Sequence, residues 1–158
     1  MELIKKNLGL VITIGIIAIA VMWCISGYNG LVSMDEGVQN KWADVETQYQ
    51  RRADLIPNLV NTVKGYAAHE KETLESVVKA RSEATSVKID PSNMTAEQMA
   101  QYQNAQNGVT SALSKLLLVV EKYPDLKANQ NFQELQSQLE GTENRIAVAR
   151  RDYNAVAK

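Results

Sequence analysis

Cysteine, histidine and proline are scarce in this 158-residue sequence, and its positive and negative charges nearly balance. The single cysteine, Cys24, cannot form a disulfide within one chain, so cysteine content does not indicate a redox compartment. Lys and Arg number 17 against 18 Asp and Glu, which gives a formal net charge of −1. Nucleic-acid binding requires a basic surface, so this composition predicts no nucleic-acid partner.

The sequence also lacks the residue clusters that catalytic and cofactor sites need. His69, the single histidine, forms an i,i+3 pair with Glu72. Di-metal sites in helical bundles use two Glu-x-x-His pairs and two further glutamates, so a metal site would need symmetry mates; the alternative is a solvated surface histidine. No serine has a suitably placed histidine base, and the glycines are isolated rather than grouped in a phosphate loop. We therefore predict no catalytic residue, no cofactor, no metal ligand and no enzymatic activity.

One long apolar run, residues 8–25, lies near the N-terminus and carries no charge. Its 18 residues span ~27 Å as a helix, close to the ~30 Å core of a bilayer. Trp23 and Tyr28 occupy the place of an interfacial aromatic belt. A cleaved signal peptide has a shorter apolar region that ends in small residues, and a lipid-attached cysteine also needs small residues where this chain has Trp23. The predicted organisation is a short flank over residues 1–7, an uncleaved transmembrane anchor helix over 8–27 and a helical domain over 28–158.

The charges that flank the anchor predict its orientation. Lys5 and Lys6 precede the apolar run, whereas Asp35 and Glu36 are the first charges after it and Lys41 is the first cation. The positive-inside rule therefore places the N-terminus in the cytoplasm and the domain outside it, with a cytoplasmic domain as the alternative.

After Tyr28 the apolar residues recur with helical spacing, in four segments. The last two segments carry heptad seams with steps of three and four residues. The seam of the last segment, with Thr142 as its polar member, is Phe132, Leu135, Leu139, Thr142, Ile146, Ala149, Tyr153 and Val156. The seam before it is Met99, Tyr102, Gln106, Val109, Leu113, Leu116, Val120 and Tyr123. The two earlier segments place on one face Leu31, Val38, Trp42, Val45 and Tyr49, and then Ile56, Val60, Val63, Ala67, Leu74 and Val77. The pattern predicts an all-α protein, with an N-terminal transmembrane helix followed by an antiparallel up-and-down bundle of about four long helices.

Chemical signals mark the later helix boundaries. Thr95 and Gln98 form a capping box that begins the third helix, after a turn over Asp90-Pro91-Ser92-Asn93. Pro124 ends that helix, because the residue before a proline avoids the α region. Asp125 is predicted to cap the fourth helix.

The first junction of the domain has two interpretations. If Asp54 is an N-cap, Pro57 lies in a first helical turn, and the chain reverses near residues 51–55. The alternative is one kinked helix from Tyr28 to about Thr85. The reversal gives four helices of comparable length, so we favour it.

Charged residues and glycines interrupt the helical faces. Arg51 and Arg52 flank the predicted reversal, and Glu70 and Arg81 fall on the apolar face of the second helix. Helix four adds Glu143, Arg145, Arg150 and Arg151. A charge on a core face is costly unless paired, which predicts a buried ion-pair layer or, alternatively, a subunit contact. Each helix also holds one glycine, which indicates either close helix approach or a tolerated exposed position; these are Gly37, Gly65, Gly108 and Gly141.

Three stretches resemble the LemA family of bacterial proteins: YNGLV after the anchor, VQNKWADVETQYQRRADLIPNLVNTVKGYAAHE, and YPDLKANQNFQELQSQLEGTENRIAVARRDYN. RRADLIPNLV and ENRIAVARRDYN are the more specific parts. The resemblance covers nearly the whole chain and implies a single N-terminal membrane span, an antiparallel helical domain and no established enzymatic activity. We predict the bacterial inner membrane as the location of the span. Members of the family usually continue with another helical turn and a tail rich in Phe, Pro and Lys, so this chain departs from the pattern at Lys158.

These observations favour a structural role over catalysis. The hypothesis is a scaffold that self-associates through its helical domain at the membrane surface, with the lipid bilayer and further copies of the chain as partners. The alternative is a monomeric, membrane-tethered adaptor that binds an unidentified envelope protein.

Overall fold

The computed structural model describes residues 7–157, and every regular element among them is helical. The elements are α1 (Leu8–Tyr66), α2 (Lys71–Ser86), a 3-10 turn (Pro91–Asn93), α3 (Ala96–Val120), the short α4 (Pro124–Lys127) and α5 (Gln130–Val156). The prediction of an all-α protein with an N-terminal apolar helix and a helical bundle is confirmed. Lys5 and Lys6, on which the orientation prediction depends, lie outside the described residues.

The chain divides into two compact units, Met1–Val38 and Gln39–Lys158. In the first unit, the side chains of residues 9–36 are all exposed, including Trp23 at 80% and Cys24. Among the described helices, α1 is the one long and apolar enough to cross a membrane. An apolar helix surface without protein cover matches the predicted anchor.

The predicted reversal near residues 51–55 is wrong, and so is the alternative of one helix to about Thr85. The helix α1 continues through that region to Tyr66, and the chain reverses over residues 67–70 instead. There Ala67 N–H donates to the Val63 carbonyl at 2.8 Å. Asp54 is therefore an exposed mid-helix residue rather than an N-cap. The bundle keeps four long helices because the C-terminal half of α1 packs with α2, α3 and α5.

Most of the predicted boundary signals act as expected. Thr95 accepts from the Gln98 N–H at 3.1 Å, and the Gln98 side chain accepts from the Thr95 N–H at 3.0 Å, which confirms the capping box. Asp90 accepts from both the hydroxyl and the N–H of Ser92, and these bonds lower the pKa of Asp90. The prediction for Asp125 is wrong, because the short α4 intervenes and Asn129 caps α5 by accepting from the Phe132 N–H at 3.0 Å.

The heptad seams form the core of the bundle. The seven seam positions that lie in α3, from Met99 to Val120, are buried or half-buried, and so is Tyr123, just after the end of this helix. The seam of α5 is covered from Phe132 to Tyr153, whereas Val156 is exposed. The four singled-out glycines lie inside helices, and a Cβ at each would meet nothing within 4 Å. Within the described chain, these glycines therefore fit tolerated positions rather than close helix approach.

Candidate functional site

Arg52 is the most buried charged side chain of the described residues, with 2% of its surface exposed. Its Nη1 donates to the Thr110 hydroxyl at 2.9 Å and to the Glu143 carboxylate at 2.8 Å. Its Nη2 donates to the backbone carbonyl of Gln106 at 2.9 Å and to the side-chain oxygen of the same residue at 2.8 Å. The guanidinium thus ties α1 to α3 and α5 through four bonds, which use all four of its terminal N–H groups.

The burial of this charge is compensated on several sides. Glu143, with 38% of its side chain exposed, supplies the opposite charge. The ring of Tyr49 lies 5.1 Å from the guanidinium carbon, within cation–π range. A buried guanidinium is tolerated only when it is both paired and hydrogen-bonded, and Arg52 meets both conditions. The predicted buried ion pair is therefore confirmed for Arg52 and Glu143.

One turn later, a proline creates a second contact between helices. Pro57 has no N–H, so the carbonyl of Ala53, four residues earlier, has no intrahelical donor. Arg81 of α2 supplies the missing donor, because its Nε bonds the Ala53 carbonyl at 2.7 Å. The proline therefore does not end α1, since a side chain from the neighbouring helix replaces the lost bond.

Together these contacts form one cluster, which we call the arginine node. It comprises Arg52, Ala53, Arg81, Gln106, Thr110 and Glu143. A single turn of α1 contacts the three other long helices there. Because the terminal Arg52 donors are all used within the protein, the node's chemistry is that of a structural junction that fixes helix register.

The other charged candidates lie apart from the node. Glu70 accepts from the Tyr123 hydroxyl at 3.0 Å, and this bond raises the pKa of Tyr123. His69 and Glu72 are exposed, and the described residues contain no group of three or more metal-ligating side chains. The Nε of Arg151 lies 3.7 Å from the carboxylate Oδ1 of Asp152, the next residue.

A cleft of about 840 Å³ opens at the node, between α1, the end of α2, the segment that follows it and α3; the node residues Arg52, Ala53, Arg81 and Gln106 line part of it. Its polar lining includes Arg51, Arg81 and Lys88, and its apolar lining includes Ile56 and Ile89. Glu46 and Asp54 also border it. The volume falls within the range of ligand sites, and the mixed lining suits a partly apolar, anionic group.

An aromatic cluster packs near the first turns of α1 in the bundle. The Trp42 ring lies 5.3 Å from that of Tyr102 and 5.2 Å from that of Tyr153, and Tyr49 lies 5.5 Å from Tyr102. Burial raises the pKa of Tyr49, although Arg150 and Arg52 oppose the shift, and burial also raises the pKa of Tyr102. These phenols are therefore held in the neutral form.

The raised tyrosine pKa values predict an alkaline loss of stability. Below about pH 10 the phenols are neutral in both states, and their contribution is fully present. As the pH rises further, the unfolded state loses these protons before the folded state does, so the free energy of unfolding falls. Tyr102→Phe is expected to flatten this fall, measured by denaturant unfolding between about pH 8 and 11. Met99→Leu, which removes no titratable group from the same cluster, is the control; equal slopes in both variants would contradict the prediction.

Sequence reasoning singles out Arg52, Arg81 and Glu143, but it does not identify Ala53, Gln106 and Thr110 as their partners. Gln106 was visible as a polar member of the α3 seam, and a polar residue on an apolar seam is the signal of a buried hydrogen-bond partner. Pro57 points to the Ala53 carbonyl, because a proline inside a helix leaves the carbonyl four residues earlier without its backbone N–H donor. Thr110 lies just outside the seam and carries no comparable signal.

The two stretches that most resemble the LemA family meet at the node. RRADLIPNLV contains Arg52, Ala53 and Pro57, whereas ENRIAVARRDYN contains Glu143, so the Arg52–Glu143 bond joins them. The model of the LemA family matches residues 41–158. The chain belongs to the LemA family. This match covers the helical bundle, so the arginine node lies within the LemA domain.

Curated relatives agree with this assignment. Magnetosome protein MamQ 2 of Paramagnetospirillum magneticum is 31% identical over 147 residues, which cover 82% of this chain and 54% of that protein. Magnetosome protein MamQ of Magnetospirillum gryphiswaldense is 29% identical with the same coverage. Protein LemA of Metamycoplasma hominis is 23% identical over 129 residues, 82% of this chain and 55% of that protein. The chain spans about half the length of the curated relatives it matches. Membership and the apolar N-terminal helix together indicate a membrane-associated protein of the family.

Proposed function

We propose that this LemA-family protein is a membrane-anchored, non-catalytic scaffold that self-associates through its helical domain at the membrane surface. The observation that carries the proposal is α1, in which one helix holds both the apolar span and the central seam of the bundle. A membrane anchor confines a protein to the surface of the bilayer, which raises its effective concentration toward other copies.

The use of polar groups supports a structural role. Arg52, the most buried cation in the part of the chain that the structure describes, donates its four terminal N–H groups to three side chains and one backbone carbonyl. Arg81 likewise donates its Nε–H to the Ala53 carbonyl, so this pair is also bonded within the protein. Although Arg52, Arg81 and Gln106 border the cleft, the terminal Arg52 donors are already bonded within the protein. The proposal therefore assigns the node to positioning helices.

The mass of the full-length protein, gently extracted from native membranes, tests self-association. We expect a uniform particle that contains several copies of the chain with residue 1 retained. Rings or larger closed assemblies form when neighbours use heterologous contacts whose rotation closes. A monodisperse monomer across mild detergents would overturn the scaffold proposal.

The orientation is also a proposal: an inner-membrane, single-pass protein with its domain in the periplasm. Its support is the sequence around the span, with Lys5 and Lys6 before it and Asp35 and Glu36 after it. Protease added outside spheroplasts should digest the domain. Digestion only after lysis would place the domain in the cytoplasm.

The cleft beside the node favours a second candidate, a monomeric adaptor for another envelope protein. Arg51, Arg81 and Lys88 would meet an acidic segment of that partner, and Ile56 and Ile89 its apolar side chains. Affinity purification from native membranes separates the two candidates. One dominant foreign partner that is lost on Arg51→Glu and Lys88→Glu, two exposed cleft residues outside the node, supports the adaptor, whereas recovery of the chain itself supports the scaffold.

A further inference from the structure

The first part of α1 carries an uncovered heptad seam, which we call the anchor seam. Its positions alternate by three and four residues without a break and are Leu10, Thr13, Ile17, Ala20, Cys24, Gly27, Leu31, Met34 and Val38. None is charged. Leu31 and Met34 are 69% and 70% exposed, while Val38 is half-buried. The Thr13 hydroxyl is satisfied within the helix by the Gly9 carbonyl at 2.9 Å.

The same helix shows what such a seam does when it is covered. After a four-residue step from Val38, the identical spacing resumes as Trp42, Val45, Tyr49, Arg52, Ile56, Leu59 and Val63. Every one of these side chains is 6% exposed or less, because α2, α3 and α5 pack on them. A heptad seam on α1 is thus a helix-packing face in its second half.

Lipid accounts for the cover of only part of the anchor seam. If residues 8–27 cross the bilayer core, Met34 lies roughly 10 Å beyond its edge, at ~1.5 Å per residue. Acyl chains do not reach that height. The opposite face of this stretch is mostly polar, with Asn29, Ser33 and Glu36 beside one apolar residue, Val32. Leu31 and Met34 therefore lie outside the lipid core and have no cover within the described chain.

We propose that the anchor seam pairs in parallel with the anchor seam of a second copy of this chain. This inference rests on the proposed self-association and names the surface that performs it. Insertion fixes the depth and direction of α1, so two copies present the same residue at the same height. Ala20, Cys24 and Gly27 allow close approach inside the bilayer, and Leu31 and Met34 form knobs-into-holes contacts outside it. An uncharged seam brings no like charges together in register.

Disulfide cross-linking in native membranes tests the pairing. Cys24 lies on the seam, so mild oxidation of the wild-type chain should give a covalent dimer. In a Cys24→Ala background, Leu31→Cys and Met34→Cys are compared with Asn29→Cys and Ser33→Cys on the opposite face. We expect at least about fivefold more dimer at the seam positions, because Cα atoms more than ~7 Å apart cannot be bridged without backbone movement. Equal cross-linking on both faces would overturn the proposal.

A second comparison separates this pairing from the proposed function. Leu31→Glu with Met34→Glu should reduce the mass of the extracted particle, whereas Asn29→Glu with Ser33→Glu should not. All four positions are exposed, so neither pair disturbs the bundle core. If neither pair of substitutions reduces the mass of the particle, pairing through the anchor seam is wrong, whereas the scaffold proposal is not contradicted. A monomeric wild-type chain would overturn both.

Discussion

Arg52→Met is expected to destabilise the helical bundle by about 3–5 kcal/mol, the usual cost of removing one partner of a buried ion pair. The substitution keeps an unbranched apolar stem but leaves Gln106, Thr110 and Glu143 without their shared donor. Thermal unfolding of the full-length chain in mild detergent, followed by helical circular dichroism, should show Tm lowered by about 10 °C or more.

The adjacent arginine provides a matched control. Arg51 is exposed, so Arg51→Met should change stability by no more than about 0.5 kcal/mol, as for most surface substitutions. Glu143→Gln should cost less than Arg52→Met, because Glu143 is partly exposed and glutamine still accepts a bond. Similar losses for Arg51→Met and Arg52→Met would show that the node does not hold the helices together.

Arg81→Met is expected to cost about 1–3 kcal/mol in the wild-type chain, because the Ala53 carbonyl would lose its donor. In a Pro57→Ala background the cost should be smaller by about 1 kcal/mol or more, since the backbone N–H that the substitution introduces would serve the same carbonyl. Pro57→Ala by itself should stabilise the domain. Its gain should stay below the ~3 kcal/mol of an unsupported helix proline, because Arg81 already compensates.

Denaturant unfolding of the four chains of this double-mutant cycle measures the coupling. Lys79→Met on the same helix is the control, because the Lys79 side chain is 78% exposed and pairs with Glu83 at 3.9 Å. Lys79→Met should lower the free energy of unfolding little, both in the wild-type chain and in the Pro57→Ala background. If the effects of Arg81→Met and Pro57→Ala add without coupling, the proline does not account for the arginine's role.

The sequence by itself determined the helical character of the chain, the apolar span and the packing faces. Apolar residues at heptad spacing have one way to leave water together, which is to align on one side of a helix. The seams of α3 and α5 were therefore predicted position by position, and the capping box at Thr95 and Gln98 needs only neighbours three residues apart. Local chemistry sufficed for these features.

Only the tertiary structure decided where the first domain helix ends and what the buried charges bind. Judged from its neighbours, Pro57 indicated a helix start, because a helix interior loses a hydrogen bond at proline. The bond is restored by Arg81, which is 28 residues from Ala53, so no local pattern could show that α1 continues. Glu143 is 91 residues from Arg52, and their contact exists only because the packing of the bundle brings α5 beside α1. Hydrogen bonds between distant residues depend on how the helices pack, and the spacing of residues in the sequence does not specify that packing.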